Sequence, residues 1–452
     1  MNSQDAILSD IHKDLLGRNV PTRTSQDLDG AYSKHILLTG GAGFIGSVLV
    51  RKLVLNYPEY FILVIDKLDY CSSFNNLHPF LQPPPPPSPP ESDQVNNGST
   101  PSKNYTDKTT PLYSNFEFLE GDITDLETVQ MAMMKYQIDT VIHLAAQTHV
   151  DKSFGESIEF TKNNVLGAHV MLEAARRMDA WRFIYVSTDE VYGEVPFGQP
   201  DCKEDAPLAP SNPYSATKAA AECMVQAYHK SFHLPVIITR SNNVYGPFQY
   251  PEKIFPKFIM SLLNSGGHCY IHGSGEHSRT YLYVTDVADA LDVILHRGEV
   301  GQVYNIGAGH EMNNLELAQD LIHRMVTQCK TCADRIVFVE DRAFNDRRYA
   351  VDATRLLGLG WSPKVQFEDG IGKTINWYKE HGRSWWGDIH RALYPHSVRL
   401  SAEDSDSAAT STAAPSPLPS QSASPLITSS PLLPSSPSAA TRLNDSKRIK
   451  RS

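Results

Sequence analysis

Thr39-Gly40-Gly41-Ala42-Gly43-Phe44-Ile45-Gly46 is the stretch whose reading decides the fold. It follows directly on His35–Thr39, a short aliphatic run, and leads into Gly46–Asn56, whose apolar residues have helical spacing. Between a strand and a helix, Gly40 allows a tight turn, Gly43 lets the backbone approach a pyrophosphate, and Gly46 lets helix and strand pack closely. The free N–H groups and macrodipole at the helix start favour an anion there, which adds Phe44 and Ile45 to the contact set. Asp66 closes the next apolar run, Phe61–Ile65, twenty residues past Gly46. A carboxylate at that spacing holds the adenosine ribose hydroxyls and repels a 2′-phosphate, so the expected cofactor is NAD. Lys67, next to it, joins the set.

The same rhythm continues outward. Phe116–Leu119, Thr140–Leu144, Arg182–Ser187 and Pro235–Thr239 are further apolar runs, and helical spacing fills Asn164–Arg177 and Tyr214–Phe232. Continuous apolar strands alternating with helices predict a parallel sheet covered on both faces. The expected class is α/β: a doubly wound Rossmann-type parallel sheet with a smaller C-terminal α-rich substrate lobe. The organisation reads as a polar N-terminal extension (1–34), a dinucleotide-binding domain (35–240), a predominantly substrate-binding lobe (241–399) and a Ser/Pro/Ala-rich tail (400–452). In the lobe, Ile254–Leu263, Val284–Leu295 and Asn314–Val326 read as helices, with some segments returning to the sheet.

The prolines mark what lies outside this body. Of 30, seven fall in Pro83–Pro90 and seven in the last 52 residues. The insert at about 81–114 and the tail are therefore expected to be disordered, being too poor in apolar surface to offset chain entropy. Net charge is −10 from 41 basic and 51 acidic residues, which disfavours nucleic acid and anionic membrane as partners. No run approaches a membrane span, the N-terminus lacks a signal layout, and six scattered cysteines fit a reducing, cytoplasmic setting.

Further contacts are expected at the strand ends. Asp122-Ile123 could bracket adenine, although Asp122 reads equally as a helix N-cap with Thr124 and Asp125 nearby. Leu144-Ala145-Ala146 closes its strand with small residues that permit close approach. In Tyr214-Ser215-Ala216-Thr217-Lys218 a spacing of four puts Tyr214 and Lys218 on one helix face, where an ammonium favours the phenolate. Ser187-Thr188-Asp189-Glu190-Val191-Tyr192-Gly193 lies at the C-terminal end of the fifth strand, the crevice side of such a sheet. Burying two adjacent carboxylates raises at least one pKa, which suits a general acid beside a base.

Fingerprint and Tyr-x-x-x-Lys together resemble the extended branch of the short-chain dehydrogenase/reductase superfamily. Ser-Thr-Asp-Glu-Val-Tyr-Gly, with Asn212-Pro213-Tyr214, is similar to the nucleotide-sugar 4,6-dehydratases acting on dTDP-glucose or UDP-glucose. His143–Asp151, Asn243–Pro247, Tyr250–Lys253, Tyr304–Gly307 and Asn345–Tyr349 extend the resemblance over about His35 to His396. Phe160–Asn164, Ile271–Gly273 and Trp385-Trp386-Gly387-Asp388 look most like the dehydratase half of plant-type rhamnose synthases.

The resemblance implies roles. Tyr214 would take the 4-hydroxyl proton, with Thr188 steering the oxygen and Lys218 tuning the phenol. Glu190 would remove the C5 proton, and Asp189 would protonate the departing C6 hydroxyl. Asn164 would join the cofactor set, and Asn243, Lys253, Arg279 and Arg342 would meet the substrate diphosphate, for which guanidinium groups suit. Many bacterial relatives carry Arg-Pro-Gly-His where this chain has Arg342-Ala-Phe-Asn345. A homodimer is a further expectation, as is a 4-keto-6-deoxy product left for a separate epimerase/reductase, since the chain turns to Ser/Pro/Ala after Arg399. A 4-epimerase or glucuronate decarboxylase on the same fold is the alternative. No metal is expected: Cys329/Cys332 and His268, Cys269, His272 and His277 read as ordinary residues, and Lys447–Arg451 as a solubilising end.

Overall fold

Each of the six apolar runs forms a strand of one parallel sheet: β1 (Lys34–Thr39), β2 (Tyr60–Asp66), β3 (Phe116–Glu120), β4 (Thr140–His143), β5 (Arg182–Thr188) and β6 (Val236–Ser241). The computed structural model describes residues 32–80, 113–264, 267–307, 309–326 and 332–394. The expectations for the N-terminal extension before 32, the insert across 81–112, Cys329 and everything beyond 394 lie outside the described residues. A strand from the later part of the chain, β10 (Val303–Ile306), returns to the sheet and pairs parallel with β6.

The order β10-β6-β5-β4-β1-β2-β3 reverses direction at β1, between β4 and β2. A crevice opens at such a switch point, beyond the C-terminal ends of the strands. Side chains alternate across the sheet, so Ile36, Leu38, Ile62 and Val64 face one apolar layer while Leu37, Leu63 and Ile65 face the other. The first layer is covered by α1 (Phe44–Asn56) and by α6 (Val284–Arg297). The second is covered by α2 (Leu126–Lys135), α3 (Gly167–Arg177) and α4 (Pro213–Phe232). Among the remaining elements, α5 (Ile254–Leu262), α7 (Asn314–Met325) and α8 (Phe367–His381) pack around two small sheets. One joins β7 (Asn243–Tyr245), β9 (Ser278–Tyr283) and β11 (Glu311–Asn313); the other pairs β8 (Cys269–His272) with β12 (Ile336–Val339).

The helix expected from Asn164 begins later. Thr161–Leu166 makes a π turn, closed by the Gly167 N–H to the Lys162 carbonyl, and α3 starts at Gly167. The cause is Asn164. Its side chain is pulled inward, donating to the Gln147 carbonyl at 3.0 Å and to Thr217 Oγ1 at 3.0 Å while accepting from the Gln147 N–H at 2.8 Å. A wider turn accommodates that reach. Gly167 completes the fit, because a Cβ there would stand 2.5 Å from Ile123.

A polar cluster ties α1 to α6 on the side of the sheet away from the strand C-termini. Tyr57 donates to Asp292 at 2.9 Å, His296 Nδ1 lies 3.1 Å from the same carboxylate, and Tyr60 meets His296 Nε2 at 2.9 Å. The bond to Asp292 raises the His296 pKa against the opposing effect of burial. A histidine whose folded pKa exceeds its unfolded value, about 6.5, adds stability that is complete below that value and is lost as pH rises through the folded one. The melting-temperature gap between the unaltered chain and His296→Gln should be widest near about pH 5.5, roughly 2 °C, and should shrink by about pH 9. An equal gap at both values would contradict the ionic contribution.

Candidate active site

The crevice at the switch point is a cleft of about 320 Å³. Gly40, Gly43, Phe44, Ile45 and Gly46 line one end, with Asp66 and Lys67 beside them. The loop is close-packed. Gly40 has φ +73°, and a Cβ on it would lie 2.8 Å from the Ala145 Cα, so β1 and β4 approach through Gly40 on one side and a small residue on the other. A Cβ on Gly46 would stand 2.2 Å from the Gly40 carbonyl. Asp66 accepts from the Ala42 N–H at 3.0 Å and from the Leu68 N–H at 2.9 Å, and burial raises its pKa despite those two bonds.

Ile123, Leu144, Ala145 and Ala146 continue the wall, and Thr188, Glu190, Tyr214 and Lys218 line its centre. Asn243 and Lys253 stand towards the later part of the chain, where Lys253 Nζ donates to the Thr148 carbonyl at 2.6 Å. Several atoms of lining residues, Gln147 Oε1 and Ser187 Oγ among them, are buried without a hydrogen-bond partner among the described residues. Buried polar atoms of that kind call for a ligand or water. With the glycine loop, the helix start and Asp66, the residues present fit a dinucleotide.

Five residues expected at the site stand off the cleft wall. Asp122 closes its own turn, accepting from the Thr124 N–H at 2.9 Å, while the cap of α2 is Asp125. Asn164 braces the Gln147 backbone, as above. Arg279 donates to the Ser278 carbonyl at 2.7 Å and to Asn345 Oδ1 at 3.3 Å, with its guanidinium 4.5 Å from the Tyr349 ring centre. Arg342 is paired with Asp151. Asp189 sits just behind the wall, 2% exposed.

The acidic pair is held from two directions. Asp189 Oδ2 accepts from Asn242 Nδ2 at 2.7 Å, and Glu190 Oε2 accepts from Asn212 Nδ2 at 3.2 Å. Burial, then the neighbouring Glu190 charge, raise the Asp189 pKa to about 7. Glu190 is also raised by burial, but Arg279 and Asn212 pull it back. Tyr214 is raised by burial and then by the Glu190 charge, with its bond to Thr188 acting the other way. Lys218 shares the helix face expected of it, yet Nζ donates to the Val186 carbonyl at 2.6 Å and lies 4.3 Å from the Tyr185 ring centre. Burial lowers its pKa to about 7.

Sequence reasoning passed over Asn242 and gave Asn212 no role of its own. Asn212 caps α4 in a capping box with Ser215, so one residue fixes both the helix start and Glu190. The signal for Asn242 was register: Thr188 pairs with Ser241, which sets Asp189 beside Asn242. His272 Nδ1 meets the Glu340 carbonyl at 3.1 Å and Cys269 is buried in β8. Among the described residues, no group of three His, Cys, Asp or Glu could hold a metal ion, and no helix is long and apolar enough to cross a membrane.

A doubly wound sheet carrying a glycine loop at its switch point and a Tyr-x-x-x-Lys helix opposite defines an extended short-chain dehydrogenase/reductase. A family model described as GDP-mannose 4,6 dehydratase matches residues 92–374. The chain belongs to this family of nucleotide-sugar 4,6-dehydratases. It is 47% identical over 369 residues to a trifunctional UDP-glucose 4,6-dehydratase/UDP-4-keto-6-deoxy-D-glucose 3,5-epimerase/UDP-4-keto-L-rhamnose-reductase of Arabidopsis thaliana, covering 81% of this chain and 50% of that one. The chain thus spans about half the length of the plant relatives it matches. It is 43% identical to a dTDP-D-glucose 4,6-dehydratase of Homo sapiens, covering 82% of this chain and 97% of that one. A solved dTDP-glucose 4,6-dehydratase of Streptomyces venezuelae with NAD bound superposes with a TM-score of 0.66 at 33% identity, covering 78% of this chain and 98% of that one.

Because the folded Asp189 pKa lies above its unfolded value, about 3.9, the native state binds more protons and loses stability as pH rises from about 4 to 7. The loss is on the order of 4 kcal/mol once Asp189 is ionised. Asp189→Asn should therefore raise the melting temperature by roughly 5 °C at about pH 8 and change it little at about pH 4. A lower melting temperature at the higher pH would contradict the buried-charge reading.

Proposed function

We propose that this chain is an NAD-dependent carbon–oxygen lyase that converts UDP-glucose or dTDP-glucose to the NDP-4-keto-6-deoxyglucose and water. The single observation that carries this reading is the buried Asp189 beside Glu190 at the end of β5, where burial and the Glu190 charge push the Asp189 pKa up to about 7. Oxidation at C4 alone needs one base; elimination of water across C5 and C6 needs a base and an acid on adjacent positions. The relatives' names support the substrates, and the bound NAD of the Streptomyces enzyme supports the cofactor.

Gly40, Gly43 and Gly46 with the start of α1 would hold the pyrophosphate, and Asp66 the adenosine ribose. When bound, NAD supplies reversible oxidation, removing hydrogen from C4 and restoring it at C6. Tyr214 accepts the 4-hydroxyl proton, its hydroxyl steadied by Thr188. Burial and the two carboxylates hold that phenol protonated, and the Lys218 charge, one turn along α4, would oppose them as the proton moves. The C4 ketone acidifies the C5 hydrogen, which Glu190 removes as a proton and gives back to C5 when C6 is reduced. Asp189, whose pKa burial and the Glu190 charge raise to about 7, gives its proton to the C6 oxygen, which leaves as water. Lys253 and Asn243 approach the diphosphate from the cleft wall, and Arg279 and Arg342 from just behind it.

We read the working unit as a homodimer formed through the sheet-flanking helices. Ile158 and Leu166, two turns apart, are 68% and 48% exposed, and support that reading. The free thiols Cys71, Cys202, Cys223 and Cys269 support a reducing, cytoplasmic setting.

Incubation with UDP-glucose and, separately, dTDP-glucose should give a 4-keto-6-deoxy sugar, seen by its absorbance in alkali. Galactose epimer with no keto sugar would overturn the proposal. Glu190→Gln should lower turnover at least about 100-fold while still letting NADH accumulate on the protein, since oxidation precedes elimination. Undiminished turnover would remove Glu190 from the C5 step.

A further inference from the structure

Ala42, between the glycines of the cofactor loop, has both backbone polar groups engaged from outside the loop. Its N–H goes to Asp66 Oδ2 at 3.0 Å, and its carbonyl accepts from Asn76 Nδ2 at 2.8 Å and from the Ser73 N–H at 3.1 Å. Asn76 is fully buried, and its own carbonyl accepts from Arg51 Nη2 of α1 at 2.6 Å. The remaining side-chain oxygen of Asn76 accepts from Trp385 Nε1 at 2.7 Å, across 309 residues of sequence. Asn75 Nδ2 donates to the Trp385 carbonyl at 2.6 Å, so the tryptophan is gripped at both ends. Its ring is set by Phe248 and Trp377, at centroid distances of 5.5 and 5.1 Å.

An asparagine amide can turn over and exchange its donor and acceptor. An indole N–H only donates, so Trp385 allows one orientation, with Asn76 oxygen towards the indole and nitrogen towards Ala42. The reverse orientation would set two oxygens against each other at the loop. We infer that Trp385 and Asn76 are positioning residues for dinucleotide binding: the indole fixes the Asn76 amide, and the amide fixes the Ala42 peptide on which the glycine loop and Asp66 both depend. This rests on the NAD reading above. It assigns Trp385, which the catalytic account leaves without a task, to the cofactor end of the cleft.

The test uses the full chain stripped of nucleotide, with NAD affinity measured by titration calorimetry and apo-protein melting recorded alongside. Trp385→Phe keeps an aromatic ring but loses the N–H, and should weaken NAD binding about fivefold with the apo melting temperature little changed. Trp386→Phe is the control, since its indole N–H has no hydrogen-bond partner among the described residues, and should bind NAD as the unaltered chain does. Asn76→Leu should lose at least as much as Trp385→Phe, and the double variant no more than Asn76→Leu alone, because both interrupt one relay. Equal NAD affinity in Trp385→Phe and the unaltered chain would overturn the inference. So would an equal loss in Trp385→Phe and Trp386→Phe, which would mark packing rather than the hydrogen bond. Failure of the unaltered chain to bind NAD would overturn the cofactor reading and this inference together.

Discussion

Two carboxylates pressed side by side at the end of β5 are the constraint around which the cleft is built. Left alone, Asp189 and Glu190 would repel each other in a poorly solvated place, and the fold answers with donors from three other elements. Asn242 comes from the end of β6, Asn212 from the cap of α4, and Arg279 from β9 lowers both carboxylates through its charge. The supports are unequal: the Glu190 charge raises Asp189, whereas Arg279 and Asn212 act mainly on Glu190. That asymmetry gives two adjacent residues of nearly the same chemistry different surroundings, as the proposed acid and base roles require.

Beneath this pair lies a second buried network that fixes α4 against β6. Arg240 and Glu222 form an ion pair at 2.6 Å with both side chains almost wholly buried, and Arg240 also donates to the Tyr192 hydroxyl at 2.7 Å. Tyr192 in turn donates to Asn305 Oδ1 at 2.8 Å in β10. Buried ion pairs of this kind add little net stability, because desolvation offsets the attraction. What this one supplies is placement. Glu222 lies one turn beyond Lys218 on α4, and its charge is what keeps the buried ammonium from losing its proton more readily still. Helix α4 is thus anchored through the same strand whose next residues hold Asp189.

Much of this was legible in the chain. Strands buried on both faces read as continuous apolar runs, so β1 to β6 stand out, and the glycine loop and Tyr214–Lys218 fall where the sequence puts them. What escaped depends on distances the sequence does not carry. The π turn before Gly167 exists because Asn164 reaches Gln147 and Thr217, and nothing local in Thr161–Leu166 announces it. Choosing Asn242 over Asn243 for attention required the β5–β6 register. Spacing placed Lys218 and Tyr214 on one face of α4 but not the direction of the ammonium, which turns to the Val186 carbonyl. β10 escaped because Asn305 interrupts its apolar run. Asp122 and Asp125, three residues apart, divide the roles of turn and cap in a way that composition alone leaves open.

The central claim is that one cleft oxidises C4, eliminates water across C5 and C6, and reduces C6 without releasing the cofactor between steps. NDP-glucose deuterated at C4 tests it most directly, with the product examined by mass spectrometry and proton NMR. The account predicts a 4-keto-6-deoxy sugar carrying the deuterium at C6. Deuterium retained at C4 of an epimerised sugar, or lost to NADH released into solution, would contradict it.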